Sequence, residues 1–193
     1  LLSKNYKLNK DIDLEGVKFE PIGSLEHPFT GKFYGEKHNI KNLSIEKDKD
    51  AKGVGFFAAI KGSVVKDLNI ENANVKGGSV IGVLVGEAQV DAAAGKNNLI
   101  AHCKVSGTVE AKGERFIKVA DAGGLVGAAQ EVTDPNTYDY ATTTIFDAHA
   151  DVKVTADTGA NDKATSGHVG GLVGHNKGKI IDSTSKGDIL GGN

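Results

Sequence analysis

Histidine and aspartate are the residues in this sequence whose chemistry and spacing come closest to those of a metal or catalytic site. The six histidines include no HExxH pair, which is the ligand spacing of zinc peptidases. His168 and His175 lie on either side of the stretch 170–174, Gly-Gly-Leu-Val-Gly, so neighbouring bends would bring them together. The alternatives are a zinc site at this pair and two histidines in solvated loops. We predict the second, and with it no metal ligands, because the spacing offers no compact ligand pair.

Three aspartates and a lysine are the candidates for cleaving a polysaccharide: Asp147, Asp151, Asp182 and Lys153. That reaction needs clustered carboxylates, often with a calcium ion and a basic side chain, on an exposed surface. The single arginine, Arg115, lies in a predicted loop, and the chain has no tryptophan to stack on a sugar ring. We therefore predict no catalytic residues.

Calcium binding through Asp139, Asp157 or Asp162 is a further alternative. Their spacing matches neither the twelve-residue EF-hand loop nor a glycine-rich nonapeptide repeat, so solvated loops are preferred. The pattern Gly53-x-Gly55-x-x-Ala58 has the outline of a dinucleotide fingerprint, but such a fingerprint needs a helix directly after it. The Lys-Gly-Ser sequence at 61–63 would interrupt that helix. No cofactor is predicted.

The stretch 170–174 recurs upstream in three imperfect copies, at 123–127, 81–86 and 53–58. With Gly55, Gly82, Gly124 and Gly171 in register, the copies are 27, 42 and 47 residues apart. Such spacing is typical of stacked repeats that share a short strand and differ in their loops. We expect the glycines to form corners, and we expect one apolar column in adjacent repeats, made of Phe56, Leu84, Leu125 and Leu172.

A second element recurs five times with an aliphatic residue first, a polar residue third and a small or apolar residue fourth. The first positions are predicted to stack as an aliphatic column: Ile40, Val65, Ile100, Ile145 and Ile180. The third positions are predicted to lie at bends, because asparagine and aspartate tolerate left-handed backbone angles: Asn42, Asp67, His102, Asp147 and Asp182. Cys103 occupies the fourth position and is predicted to be a buried small side chain rather than a nucleophile.

Composition and patterning favour strands. The formal net charge of -2 gives no strong field for nucleic acid or an anionic membrane, and no apolar run approaches the length of a membrane span. No segment sustains a helical apolar period, and bends between short strands are how parallel β-helices turn corners. We predict an all-β chain, a single domain over 1–193 with about five to six irregular coils.

The entry Leu8-x-x-Asp11-Ile12-Asp13-Leu14, the segment 29–45 and the Gly-Gly-Leu-Val-Gly copies together resemble the GLUG-motif domains of bacterial secreted and cell-surface proteins. These include adhesin-like proteins and the non-catalytic N-terminal regions of zinc-dependent immunoglobulin A peptidases. The resemblance implies a right-handed parallel β-helix, a fragment of a larger surface protein and an extracellular location. Lys32, the residues Tyr-Gly-Glu at 34–36, and Ala58 depart from the family pattern.

The resemblance carries no catalytic set, so the expected function is structural and adhesive. Such a module would be a rigid stalk that contacts other domains of the same polypeptide and presents loops to a host glycoprotein, an immunoglobulin or a carbohydrate. The alternatives are a substrate-docking module of an immunoglobulin-cleaving peptidase and a carbohydrate-active β-helix enzyme. On loop length, the candidate ligand contacts are Tyr138, Asp139, Tyr140 and Asn161.

Overall fold

The computed structural model describes residues 1–112, 121–157 and 167–191 of the chain. Every regular element in these ranges is a β-strand, and they hold no helix that would be long and apolar enough to span a membrane. In chain order the strands are β1 (Tyr6–Lys7), β2 (Ile12–Asp13), β3 (Lys32–Tyr34), β4 (Asn39–Lys41), β5 (Ser44–Glu46), β6 (Phe57–Lys61), β7 (Val64–Lys66), β8 (Asn69–Lys76), β9 (Val80–Ile81), β10 (Val85–Gln89), β11 (Asn98–Ala101), β12 (Lys104–Lys112), β13 (Asp121–Gly123), β14 (Val126–Ala129), β15 (Glu131–Thr133), β16 (Tyr140–Phe146), β17 (His149–Asp157), β18 (His168–Gly170), β19 (Val173–Asn176), β20 (Lys179–Ile181), β21 (Thr184–Lys186) and β22 (Ile189–Gly191).

The strands form four sheets, which we number I to IV. Sheet I has the order β1-β3-β7-β11-β16, with β20 also on β16, and sheet II has the order β2-β4-β8-β12-β17-β21. Sheet III is β9-β13-β18, and sheet IV is β6-β10-β14-β19. Among the described residues, all pairs between these strands are parallel except the β15–β16 hairpin at the edge of sheet I. From β9 onwards the chain visits the sheets in the order III, IV, I and II, whereas β1 to β5 lie in sheets I and II alone. Since every regular element in the described ranges is a strand, the predicted all-β class is confirmed.

The parallel register brings equivalent residues of successive repeats side by side. Ile100 of β11 lies opposite Val65 on one side and Ile145 on the other. All three are fully buried, as expected for aliphatic side chains on the inner face of a sheet. Ile180 continues this column opposite Ile145 but is 41% exposed, because no described strand lies beyond β20 in sheet I.

A second apolar column runs through the glycine-rich copies. The Leu84 N–H donates to the Leu125 carbonyl at 3.0 Å, and the Leu125 N–H donates to the Leu172 carbonyl at 2.9 Å. Phe56 lies one repeat earlier and packs edge-on against Phe57, whose N–H donates to the Leu84 carbonyl at 2.9 Å. These side chains lie in one continuous core, with Leu172 at its margin at 9% exposed.

The bends between sheets I and II have left-handed backbone angles. Asp67, His102, Asp147 and Asp182 have φ of 54, 54, 47 and 49°, which confirms the prediction for these four third positions. Asparagine and aspartate reach this region more easily than other residues with a side chain, and His102 shows that histidine also fits here. Each bend sends the chain from one sheet into the next.

The sequence alignment of Ile40 with Val65 was wrong. Ile40 lies opposite Ile70 in sheet II, whereas Val65 lies opposite Phe33 in sheet I. The first copy of the element therefore sits one corner later than the other copies. Both corners use a left-handed polar residue followed by a buried apolar one, so the sequence pattern does not distinguish them.

Asn42 accordingly marks a bend within sheet II. It has φ of 57°, and its partner in the next repeat is Asn72, with φ of 53°. The Asn72 Nδ2 donates to Asn42 Oδ1 at 2.7 Å, and the Asn42 Nδ2 donates to Asp13 Oδ1 at 2.8 Å. This row of side-chain hydrogen bonds joins three repeats on the outer surface.

A buried polar column that the sequence did not suggest fills the corner between sheets IV and I. Asn98, 3% exposed, accepts from the Ser63 N–H at 3.0 Å and donates to Thr143 Oγ1 at 3.1 Å. The Ser63 hydroxyl donates to the Phe29 carbonyl at 2.7 Å. Among the described residues no buried side-chain nitrogen or oxygen lacks a partner, so this corner is satisfied without water.

Candidate functional site

The glycine-rich motif brings the strands of sheets III and IV into close contact. A Cβ on Gly174 would lie 2.6 Å from the Ala122 nitrogen and 2.7 Å from the Gly127 oxygen. A Cβ on Gly127 would lie 2.6 Å from both the Gly86 oxygen and the Ile81 nitrogen. Real Cβ atoms do not approach backbone this closely, so only glycine fits. The residues that flank the motif are thereby brought together.

Asp121, His168 and His175 are the flanking residues that meet. Asp121 of β13 lies directly opposite His168 of β18, and His175 of β19 lies opposite Ala128 of β14. The His168 Nδ1 is 2.8 Å from Asp121 Oδ1, and the His175 Nδ1 is 3.6 Å from Asp121 Oδ2. The two imidazole centroids are 4.4 Å apart, and one ligand atom from each residue lies within 4.8 Å of the other two. We call this group the Asp–His cluster.

The Asp–His cluster combines a buried carboxylate with accessible rings. The Asp121 side chain is 11% exposed, whereas those of His168 and His175 are 46% and 35% exposed. Both histidines were predicted to lie in solvated loops; they lie instead in strands β18 and β19, with both rings against one carboxylate. The spacing in the sequence could have indicated this contact. Asp121 lies two residues before Gly123, and His168 lies two residues before the equivalent Gly170.

A crevice of about 160 Å³ opens beside the Asp–His cluster and is lined by Glu87, Gln130 and Lys177 together with Asp121 and His175. The Gln130 side-chain amide donates to the Glu87 carboxylate. Desolvation raises the pKa of Glu87, and the hydrogen bond from Gln130 partly opposes this rise. The crevice thus places the carboxylates of Glu87 and Asp121 beside the basic side chains of His175 and Lys177.

A second aspartate lies between two histidines at the edge of sheet II. The Asp147 carboxylate lies 2.8 Å from His102 Nδ1 and 3.0 Å from His149 Nε2. The His102 contact and then the His149 contact lower the pKa of Asp147. His149 Nδ1 lies 2.7 Å from the Thr184 hydroxyl, so this row is exposed and extended along the sheet rather than gathered around one point.

The candidate polysaccharide-cleaving residues occupy different kinds of position. Asp147 and Asp182 lie at equivalent bends in successive repeats. Asp151 and Lys153 are exposed in β17, where they lie opposite Ser106 and Thr108 of β12. The Asp147 carboxylate is already bound by two histidines. Asp147, Asp151 and Lys153 line three separate open clefts of about 540, 560 and 530 Å³, so the structure does not gather the four residues into one site.

The candidate ligand loop is the β15–β16 hairpin. Tyr138 is 81% exposed, and Asp139 Oδ2 accepts from the Thr137 hydroxyl at 2.7 Å. The Tyr140 hydroxyl donates to Glu131 at 2.5 Å, and the Lys179 ammonium lies 5.4 Å from the centre of the Tyr140 ring. Tyr138 is thus the side chain most available to a ligand. Asn161 and Asp162 lie outside the described residues, as does the side chain of Asp157.

Cys103 is fully buried, as predicted for a small core residue. Burial raises the pKa of its thiol to about 12. The thiol lies 3.3 Å from the Ala101 carbonyl. Cys103 therefore has neither the ionisation nor the access of a nucleophile.

Comparison with known proteins agrees with the predicted resemblance. The family model described as the GLUG motif matches residues 165–190, which include the copy at 170–174 and the strands β18 to β21. The chain carries a GLUG motif. It is also similar to halomucin of Haloquadratum walsbyi, with 28% identity over an alignment 141 residues long, which covers 66% of this chain and 1% of halomucin. No solved structure matches the chain.

Proposed function

We propose that this GLUG-motif chain is a right-handed parallel β-helix and that it serves as a rigid, non-catalytic module of an exported surface protein. The observation that supports this most is the parallel pairing that continues from strand to strand through sheets I and II. Across the described ranges, each of these sheets contains strands from six successive passes of the chain. Neighbouring strands are about 4.8 Å apart, so six passes extend about 24 Å along the stacking direction.

Rigidity follows from how the backbone is paired. An inner strand such as β12 is hydrogen-bonded to β8 on one side and to β17 on the other, over almost its whole length. Bending the stack would break these bonds and open the apolar columns beneath them. A module built in this way holds its two ends at a fixed separation.

The proposal of a surface location rests on the two sequence comparisons. The chain carries a GLUG motif and is similar to part of halomucin, and both features are expected of a repeat module from an extracellular protein. The chain corresponds to a small fraction of halomucin, so the activity of any whole protein is a separate matter.

Two surfaces of the module suit partners. The last strands β20 and β22 expose Ile180, Ile181, Ile189 and Leu190, and we assign this apolar end to another domain of the same polypeptide. The hairpin with Tyr138 at its tip is the surface that we assign to a host glycoprotein, an immunoglobulin or a carbohydrate. An exposed tyrosine provides a flat apolar contact with a polar end, which suits both protein and sugar ligands.

The test combines binding and turnover with the 193-residue chain. Glycans, host glycoproteins and immunoglobulin A are screened for saturable binding, and polysaccharides and immunoglobulin A are screened for cleavage products. We expect no cleavage, and we expect a bound ligand to be lost with Tyr138→Ala but kept with Val17→Ala, an exposed apolar change elsewhere. Any turnover refutes the non-catalytic proposal. Binding confined to immunoglobulin A favours the alternative of a docking module of a peptidase. If nothing binds, the role that remains is that of a rigid stalk without a ligand.

A further inference from the structure

We propose that the Asp–His cluster binds one divalent transition-metal ion, of the zinc, cobalt, nickel or copper class, through Asp121, His168 and His175. The cluster supplies two imidazole nitrogens and one carboxylate oxygen. This is the ligand set that such ions take in proteins, whereas calcium and magnesium prefer oxygen ligands alone. The inference is independent of the function proposed above.

The geometry is close to what a tetrahedral ion requires. With bonds of about 2.0–2.2 Å, the ligand atoms of tetrahedral zinc lie about 3.4 Å from one another. The three ligand atoms here lie within 4.8 Å of one another, and the two carboxylate contacts measure 2.8 Å and 3.6 Å. The side chains of His168 and His175 are 46% and 35% exposed, so rotation of the two imidazoles would adjust these separations towards the required values.

The carboxylate is held in place before any ion arrives. Asp121 lies in the middle strand of sheet III, between β9 and β18, with 7% of the residue exposed. A nearly buried carboxylate needs a compensating positive charge or hydrogen-bond donors. The ion pairs described for it are those with His168 and His175. A divalent ion would supply this compensation while using the imidazoles as neutral ligands.

The crevice beside the Asp–His cluster leaves room for the remaining coordination position. Its volume of about 160 Å³ exceeds the roughly 30 Å³ that one water molecule occupies in the liquid. Glu87 and Gln130 also line the crevice, and their side chains are a hydrogen-bond acceptor and a donor that suit a water ligand. Three protein ligands and one water give a four-coordinate ion.

The ion would join two repeats. Asp121 belongs to the repeat that contains β13 and β14, while His168 and His175 belong to the next repeat, with β18 and β19. Unfolding either repeat separates the ligands, so metal binding is coupled to the stacking of both. The melting temperature should therefore rise with the concentration of free metal.

The experiment measures metal binding by the chelator-stripped 193-residue chain. Zinc is titrated by calorimetry, and cobalt is followed by its visible absorption, which is intense for four-coordinate sites. We expect one ion per chain, a higher melting temperature with zinc, and neither effect with magnesium or calcium. His168→Gln and His175→Gln should each weaken zinc binding by more than about tenfold.

The matched control is His38→Gln. The His38 Nδ1 also lies close to an aspartate, 3.1 Å from Asp11 Oδ1. His38 is not part of the Asp–His cluster, and among the described residues it belongs to no other group of three possible metal ligands. This variant should bind zinc like the unaltered chain. If a cluster variant does not fold, NMR of the unaltered chain decides, because zinc should shift the imidazole signals of His168 and His175 and leave that of His38 in place. No zinc binding by the unaltered chain, or equal binding by a folded cluster variant, overturns the proposal.

Discussion

Alanine in place of Gly127 should destabilise the stack of repeats. Its Cβ would lie 2.6 Å from the Gly86 oxygen and 2.6 Å from the Ile81 nitrogen, where ordinary contact begins at 3.4 Å. Both atoms are backbone of the preceding repeat, so a side-chain rotation does not relieve the contact. The repeats must separate by several tenths of an ångström, and overpacking of this kind costs about 1–3 kcal/mol.

An opposing effect comes from the unfolded chain. Replacing glycine with alanine reduces the conformational entropy of the unfolded state and stabilises a protein by about 0.4–1 kcal/mol where the alanine fits. The net loss at Gly127 is then about 1–2 kcal/mol. For a chain of this length the melting temperature should fall by about 2–8 °C.

Gly191 provides the matched control. Nothing lies within 4 Å of a Cβ built there, and its φ is not in the left-handed range. Gly191→Ala should leave the melting temperature unchanged or raise it slightly. Thermal unfolding followed by circular dichroism measures both variants in metal-free buffer. Equal melting temperatures for the two variants would show that the close approach of the repeats at Gly127 is not needed for stability.

Three further predictions concern a bend, the buried thiol and the crevice beside the Asp–His cluster. Asp67→Val should lower the free energy of unfolding by about 1–2 kcal/mol, because a β-branched residue is strained at φ of 54°. Asp67→Gly should lower it less, since glycine adopts this angle without strain. Equal urea midpoints for the two variants would contradict this. Cys103 should react with an aromatic disulfide reagent only after denaturant is added, and rapid labelling of the folded chain would disprove its burial. Glu87→Gln should raise the melting temperature more at pH 7 than at pH 4. Burial raises the pKa of Glu87 in the folded chain above its unfolded value of about 4.3. Ionisation of Glu87 therefore lowers the stability of the fold as the pH rises above that unfolded value, and glutamine removes this loss. Asp121, His175 and Lys177 face the same crevice in both chains, so the comparison isolates Glu87. A larger gain at pH 4 would reverse the assigned direction.

The bends and the glycine-rich corners were predictable because each depends on local backbone chemistry. A left-handed angle selects asparagine or aspartate whatever surrounds it, which is why the sequence identified Asp67 and Asp147 as bend residues. The burial of Cys103 was predictable from its place in the repeated element, because it occupies the fourth position, where Leu68 and Ala148 are also fully buried.

The register of the first copy was not predictable in the same way. Ile40 and Val65 carry the same local pattern, and only the length of the intervening chain decides at which corner each of them lies. The Asp–His cluster was also missed, because Asp121 and His175 are far apart in sequence and meet only when two repeats stack. The polar column of Ser63, Asn98 and Thr143 was not predictable either, because three different residue types occupy equivalent positions of successive repeats.

The in-register stacking has a consequence for inheritance. Since each inner strand meets equivalent residues above and below, a recombination event that duplicates or deletes one whole repeat leaves both new neighbours with matching columns. The parallel register of the strands is kept after such an event, whereas the loss of half a repeat would destroy it. A gene of this kind can therefore change the reach of its product in discrete steps of about 4.8 Å, one repeat at a time, without any substitution in the core.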